Sequence, residues 1–96
     1  MRLEVYGKAN CAMCKSTKAK LTHLMSRAEG APVATLAFVD MDTIEGLAEG
    51  AFNDVHNLPT TIVRSASGDP LARWEGRVPP SVEVQAFLAS SKPSVG

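Results

Sequence analysis

Short apolar runs alternate with helical repeats along the chain. Four segments have the β-branched or alternating character of strands, and three have apolar residues at the spacing of a helix. The strands are predicted at residues 3–6, 35–40, 60–64 and 71–74, and the helices at 12–27, 44–55 and 81–90. The predicted order is therefore βαβαββα.

The three predicted helices have recognisable apolar repeats and boundaries. Thr43 is a suitable N-cap for the second helix, and Gly30 and Pro32 end the first. The first helix places Leu21, Leu24, Met25 and Ala28 on its buried side, and the third places Val84, Phe87 and Leu88 inward. In the second helix, Ile44, Leu47, Ala48, Ala51, Phe52 and Val55 recur at helical spacing.

The order of elements predicts an α/β architecture. A helical crossover joins the first two strands, so they should be parallel, whereas the turn at 67–70 joins the last two as an antiparallel hairpin. We expect one four-stranded mixed sheet with helices on both faces. The 96 residues suffice for one domain, which we place at 1–91, with 92–96 as a disordered tail.

Composition and charge exclude several functional classes. No stretch approaches the ~20 apolar residues of a membrane span, and the first residues do not read as a signal peptide, so we expect a cytoplasmic protein. Net charge is zero, but residues 1–30 carry a balance of +4 and residues 31–96 one of −4. The basic part is small, aromatic residues are sparse and no binding motif is present, which argues against nucleic acid.

Cys11 and Cys14 are the only cysteines and the most chemically specific feature of the chain. Residues i and i+3 are neighbours on a helix surface, so the two thiols can close and reopen a small disulfide ring. Free N–H groups and the dipole at the helix N-terminus would stabilise a thiolate at Cys11. Cys14, one turn further, would be more shielded. Such an asymmetric pair provides one attacking and one resolving sulfur for thiol–disulfide exchange.

Two lysines follow Cys11 on its side of the predicted helix. Lys15 and Lys18 come four and seven residues after it, although cations in the first turns oppose the helix dipole. They would support a thiolate or dock an acidic partner. A solvated helix face is the alternative, and the sequence leaves it open.

Binding functions are the alternatives to exchange. Zinc needs four ligands, but His23 faces away from Cys14 on an ideal helix, and His56 is the only other histidine. An iron–sulfur or soft-metal site would have to combine two thiolates from each of two chains. The pair could also be inert on an interaction module. We predict no metal and no cofactor, because sulfur itself carries the two electrons.

Three segments together resemble the thioredoxin/glutaredoxin superfamily over most of the chain. Residues 5–15, VYGKANCAMCK, are similar to glutaredoxins and NrdH-type redoxins, in which a lysine stands where Lys8 does. Leu58-Pro59-Thr60 opens the third strand, as the cis-proline motif does in this superfamily, and Trp74-Glu75-Gly76-Arg77-Val78-Pro79 resembles a Trp-x-Gly-x-x-Pro stretch of NrdH-type redoxins.

The resemblance implies a thioredoxin-like fold and roles for several residues. Cys11 would be the nucleophile and Cys14 the resolving thiol, with Lys8 at the position of the family's lysine. We predict that Lys8 and, from its place four residues after Cys11, Lys15 support the thiolate. A cis-Pro59 would face the disulfide, where the backbone of Leu58 and Thr60 holds an extended substrate. Met13, at the helix tip between the cysteines, is a candidate docking contact.

The chain also departs from both branches of the superfamily. Val5 replaces the buried acid of thioredoxins, and Asn57-Leu58-Pro59 and Arg77-Val78-Pro79-Pro80 replace the segments with which glutaredoxins hold glutathione. We therefore predict a monomeric oxidoreductase that exchanges electrons with protein disulfides and with a reductase resembling thioredoxin reductase. The alternatives are a glutathione-dependent glutaredoxin and a non-catalytic module that binds metal, iron–sulfur or a protein partner.

Overall fold

The structure, a computed structural model, describes residues 1–27 and 34–90 and contains all seven predicted elements in the predicted order. The elements are β1 (Arg2–Gly7), α1 (Ala12–Arg27), β2 (Thr35–Asp40), α2 (Ile44–Phe52), β3 (Thr60–Arg64), β4 (Pro70–Glu75) and α3 (Ser81–Ser90). The expected burial of Ala28 and the expected disordered tail at 92–96 lie outside the described residues. Within the described residues, no helix is long and apolar enough to span a membrane.

The four strands form one mixed sheet in the order β2-β1-β3-β4, which confirms the predicted architecture. β1 pairs in parallel with β2, and Leu3 lies opposite Leu36. β3 is antiparallel to both β1 and β4, and its register with β4 shifts between Val63 and Arg64. Because Tyr6 lies opposite Thr60, the end of β1 and the start of β3 meet at one end of the sheet.

Two apolar clusters lie on opposite faces of the sheet, since successive strand residues point to opposite sides. The larger cluster joins the sheet to α1 and α3 and contains Leu3, Val5, Leu21, Leu24, Val63, Trp74, Val84 and Leu88. The smaller cluster lies on the α2 face and contains Tyr6, Met41, Val55 and Ile62. The sheet therefore has helices on both faces, as predicted.

α1 packs through the apolar side that its sequence predicts. Leu21 is fully buried and Leu24 is 8% exposed, and both contact the larger cluster together with the partly buried Met25. α3 contributes Phe87, which meets Trp74 edge-to-face with ring centroids 6.1 Å apart. This packing holds α1 and α3 against the sheet.

α2 packs differently from what its apolar repeat suggests. Thr43 is its N-cap as predicted, because its Oγ1 accepts the N–H of Gly46 at 2.9 Å. The helix ends at Phe52, before Val55, and it buries Gly46 and Gly50 instead of its large apolar residues. A Cβ at Gly46 would overlap the carbonyl oxygen of Asp40, so the backbone of α2 lies directly against the end of β2.

A polar network on the α2 face connects β1 and β3 with the C-terminal end of α2. The Glu4 carboxylate accepts hydrogen bonds from Arg64 Nε at 2.7 Å and from the Tyr6 hydroxyl at 3.2 Å, and it pairs with Arg2. Asn53 joins the network by donating to the Tyr6 hydroxyl at 3.1 Å. Burial, with a smaller effect from the Glu4 charge, raises the pKa of Tyr6.

Candidate active site

The two cysteines lie where β1 turns into α1. The N–H of Cys11 donates to the carbonyl of Lys8 at 3.2 Å, and the N–H of Lys15 donates to the carbonyl of Cys11 at 3.1 Å. These bonds place Cys11 immediately before the first residue of α1. Its Sγ accepts the N–H of Cys14 at 3.1 Å, so it receives one of the free donors of the helix N-terminus.

Cys11 and Cys14 form a disulfide, with their Cα atoms 5.2 Å apart. The two cysteines differ in solvent exposure, since Cys11 is partly exposed whereas Cys14 is only 1% exposed. The accessible position is also the one at the helix N-terminus. This is the asymmetry predicted from the order of the two residues along α1.

Gly7 is a part of the site that the sequence reasoning missed. A Cβ at this position would lie 2.7 Å from Cys14 Sγ and 3.3 Å from Phe38 Cε2. Real Cβ contacts are essentially never shorter than 3.0 Å, so only glycine lets the end of β1 approach Cys14 this closely. The contact of Gly7 with Cys14 depends on the tertiary packing of α1, so no local pattern in the sequence indicates it.

Thr17 and Phe38 complete the surroundings of α1 near the cysteines. Thr17 is fully buried, and its hydroxyl donates to the carbonyl of Met13 at 2.9 Å. Phe38 lies under α1 from β2, and Lys18 Nζ is 5.1 Å from the centroid of its ring. Lys18 is therefore held over an aromatic face instead of extending freely into solvent.

The predicted substrate segment lies at the same end of the sheet as the disulfide. The Leu58–Pro59 peptide bond is cis, as the resemblance implied, and the carbonyl of Pro59 accepts the N–H of Gly76 at 2.8 Å. Thr60 is fully buried and its hydroxyl donates to the carbonyl of Asn57 at 2.5 Å. Within residues 1–27 and 34–90, nothing hydrogen-bonds to the peptide groups of Leu58.

The residues predicted to support the thiolate or to dock a partner differ in their ion pairing and exposure. Lys8 Nζ lies 3.7 Å from the carboxylate of Asp42, so its charge is shared with the loop before α2. Lys15 is exposed and forms no ion pair with any described residue. Met13 is 46% exposed at the tip of α1. Lys15 and Met13 are therefore open to a partner, and Lys8 is partly neutralised.

The described residues offer no cluster of side chains for a metal site. In the part of the chain that the structure describes, no group of three or more His, Cys, Asp and Glu side chains could hold a metal ion. His23 and His56 are both exposed.

A mixed βαβαββα sheet with Cys-x-x-Cys at the start of its first helix and a cis-proline at the same end of the sheet is a thioredoxin-like fold. No protein-family model matches the chain, and no curated protein matches it. Solved structures do: thioredoxin 1 of Thermosipho africanus superposes with a TM-score of 0.72 at 20% identity, covering 94% of this chain and 92% of that one.

Two further structures show the same similarity. Thioredoxin-2, a component of the malaria parasite protein secretion machinery, has a TM-score of 0.74 at 22% identity, with coverage of 93% of this chain and 81% of that one. An uncharacterised thioredoxin-like protein of Clostridium perfringens has a TM-score of 0.77 at 15% identity, covering 93% and 68%. These similarities establish the fold. Together with the Cys11–Cys14 disulfide, they support a thiol–disulfide oxidoreductase in general.

Proposed function

We propose that this chain is a cytoplasmic dithiol–disulfide oxidoreductase that reduces disulfides of partner proteins and is itself reduced by a thioredoxin reductase-like enzyme. One observation carries the proposal: the partly exposed Cys11 Sγ accepts the Cys14 N–H at 3.1 Å while Cys14 itself is buried. The donor that meets Cys11 Sγ in the disulfide is equally placed to stabilise a thiolate after reduction.

The exchange proceeds in two balanced steps. The Cys11 thiolate attacks one sulfur of the partner disulfide, which forms a mixed disulfide and releases the other partner sulfur as a thiolate. Cys14, after losing its proton, attacks Cys11 Sγ and releases the second partner sulfur. The partner gains two electrons, and Cys11 and Cys14 return to the disulfide form.

Substrate positioning is assigned to Met13 and to the segment 58–60. The peptide groups of Leu58 have no hydrogen-bond partner among the described residues, so they are available to an extended substrate strand. Pro59 and Thr60 are buried, so they act by placing Leu58 beside the disulfide. Met13, exposed and unbranched, adapts to different partner surfaces. Lys15 contributes a positive charge next to the mixed disulfide.

The first test separates the exchange reaction from the identity of the electron donor. Protein reduced chemically and freed of reductant should reduce insulin disulfides stoichiometrically, because this step needs no donor. NADPH oxidation is then followed with thioredoxin reductase in one reaction and with glutathione and glutathione reductase in another. Turnover with thioredoxin reductase alone is expected, and turnover with glutathione alone would instead identify a glutaredoxin. If folded, reduced protein leaves insulin intact, the oxidoreductase proposal is wrong.

The second test assigns the two sulfurs. Cys11→Ser should abolish turnover, because no thiolate remains at the exposed position. Cys14→Ser should retain attack but lack resolution, so it should accumulate a mixed disulfide that mass spectrometry detects and a reductant reverses. Ser16→Ala, an exposed hydroxyl on the same helix, is the control and should behave as the wild type. Adducts on Cys11→Ser but not on Cys14→Ser would reverse the assignment.

A further inference from the structure

The outward side of α2 exposes an unusual amount of apolar surface for so short a helix. Ile44 is 84% exposed, Leu47 53% and Phe52 87%. The exposed apolar residues, which we name the outer α2 face, are Ile44, Leu47, Ala48, Ala51 and Phe52. Contiguous apolar surface of this kind marks an interaction site more often than a free surface.

Packing of the protein's own core does not use the outer α2 face. The helix is held by its opposite side, where a Cβ at Gly46 would overlap the Asp40 carbonyl and a Cβ at Gly50 would lie 2.8 Å from Met41 Sδ. There is no space for Ile44 or Phe52 on that side. The large residues are therefore directed outward by the close approach of helix and sheet, and they remain available to another molecule.

An acidic edge runs along the outer α2 face. Viewed down the helix axis at about 100° per residue, the five apolar residues of this face span an arc of about 140°. Glu45 and Glu49 lie just beyond Phe52 at one side of that arc. Among the described residues, neither carboxylate forms an ion pair. Like charges at i and i+4 destabilise a helix, so cations supplied from outside would relieve this repulsion.

We propose that the outer α2 face docks a basic amphipathic segment of a partner protein. Its apolar side chains would cover Ile44, Leu47 and Phe52, and its Lys or Arg side chains would meet Glu45 and Glu49. An amphipathic segment presents its apolar side to such a face, and the acidic edge determines the charge that the segment must carry. The proposal does not rest on the redox function, because α2 and the disulfide-bearing α1 lie on opposite faces of the sheet.

A second copy of this chain is a poorer occupant. An antiparallel two-fold contact between two copies of α2 would place Glu45 and Glu49 of both copies along the same edge, which adds repulsion. A nine-residue helix is only about 13 Å long, so a helix pair covers much less than the ~800 Å² per partner of a stable interface. A short, positively charged segment fits both the small area of the outer α2 face and the negative charge of its acidic edge.

The test uses a synthetic amphipathic peptide of leucine and lysine with the oxidised, isotope-labelled chain. Titration followed by NMR should give saturable shifts at residues 44–52. Ile44→Ser combined with Phe52→Ser should weaken binding by about tenfold or more. Glu45→Gln combined with Glu49→Gln should weaken it less and reduce its dependence on salt. All four side chains are exposed, so the variants should fold, which their amide spectra verify.

The controls isolate charge and location. Val82→Ser changes an apolar residue of α3 that is 77% exposed, and it should leave binding unchanged. A peptide of leucine and glutamate with the same spacing should not bind. Equal binding of the two peptides, shifts centred elsewhere, or no saturable binding up to about 1 mM would overturn the proposal. Self-association in sedimentation equilibrium that Phe52→Ser removes would assign the face to a second copy and overturn it as well.

Discussion

α1 and α2 pack on opposite faces of one sheet in opposite ways. α1 buries its leucines, directs its four basic side chains away from the core and begins at the disulfide. α2 buries two glycines, directs isoleucine, leucine and phenylalanine outward and has acidic residues but no basic ones. In α1 the apolar side is the one that packs, whereas in α2 the packing side is the one with the smallest side chains.

The difference shows what an apolar repeat does and does not determine. A repeat at helical spacing identifies a helix, and in α1 it also identifies the buried side. In α2 the distance between helix and sheet decides the orientation, because the Asp40 carbonyl leaves no space for a side chain at Gly46. Packing within the fold therefore does not account for the apolar repeat of α2.

The largest expected effect separates the leucines of the two helices. Leu21→Ala removes a fully buried side chain and should lower the free energy of unfolding by about 3–5 kcal/mol, since it loses burial and leaves a cavity. Leu47→Ala removes the same atoms from a side chain that is 53% exposed and should cost less than about 1 kcal/mol. Urea unfolding of both variants measures the difference. Equal losses would mean that α2 buries its apolar side after all.

A smaller effect is expected at the two buried glycines of α2. Gly46→Ala brings a Cβ against the backbone carbonyl of Asp40, which has less freedom to shift than a side chain. We expect the free energy of unfolding to fall by about 2–3 kcal/mol. Gly50→Ala meets the side chain of Met41, which is flexible, and alanine favours the helix by up to about 1 kcal/mol. Its net change should therefore stay within about 1 kcal/mol of the wild type.

The glycine pair is measured by urea unfolding with Gly68→Ala as a control. Gly68 has open space around it but a φ of +93°, so its variant reports backbone strain without a steric overlap. Gly46→Ala should lower the free energy of unfolding more than Gly68→Ala does. A Gly46→Ala variant as stable as Gly50→Ala would show that α2 can move away from the sheet. Close packing of the two glycines would then not explain why α2 directs its large side chains outward.

Local signals allowed most of the fold to be predicted. The predicted bounds of α1, β2, β3 and α3 agree with the structure, and Thr43 caps α2 as its position suggests, because these features depend on near neighbours in the sequence. The buried side of α2 could not be predicted, since a glycine carries no pattern of its own. The Glu4–Arg64 ion pair joins residues 60 apart and likewise depends on the sheet register.

The candidate site was predicted in part for the same reason. Cys11 and Cys14 can be identified as a pair from their spacing and their place at the start of α1. The cis-Pro59 at the same end of the sheet was expected from the resemblance to a known superfamily. The contact of Gly7 with Cys14 Sγ had no usable signal, because it arises only when α1 lies on the end of β1. The roles proposed for the site residues, those of the two cysteines and of Lys8 and Lys15 included, remain predictions.

The smallest expected effect concerns Tyr6, which connects the sheet to the end of α2 through Asn53. Burial raises the pKa of Tyr6 above its ordinary value of 10.0. The unfolded chain therefore loses the phenolic proton at lower pH than the folded protein does. The stability contributed by the neutral phenol is present below pH 10 and is lost as pH rises through the folded-state pKa.

Tyr6 is the only tyrosine, so its ionisation can be followed by the near-ultraviolet absorbance of phenolate without interference from another residue. The folded protein should ionise at higher pH than the same chain in urea. Tyr6→Phe should remove the phenolate signal and make unfolding less dependent on pH above 10, while the lysines common to both proteins cancel in the comparison. Phenolate appearing at the same pH in folded and unfolded protein would mean that Tyr6 is solvated. The junction between the sheet and the α2 C-terminus would then be open, and α2 would be held by its glycines alone.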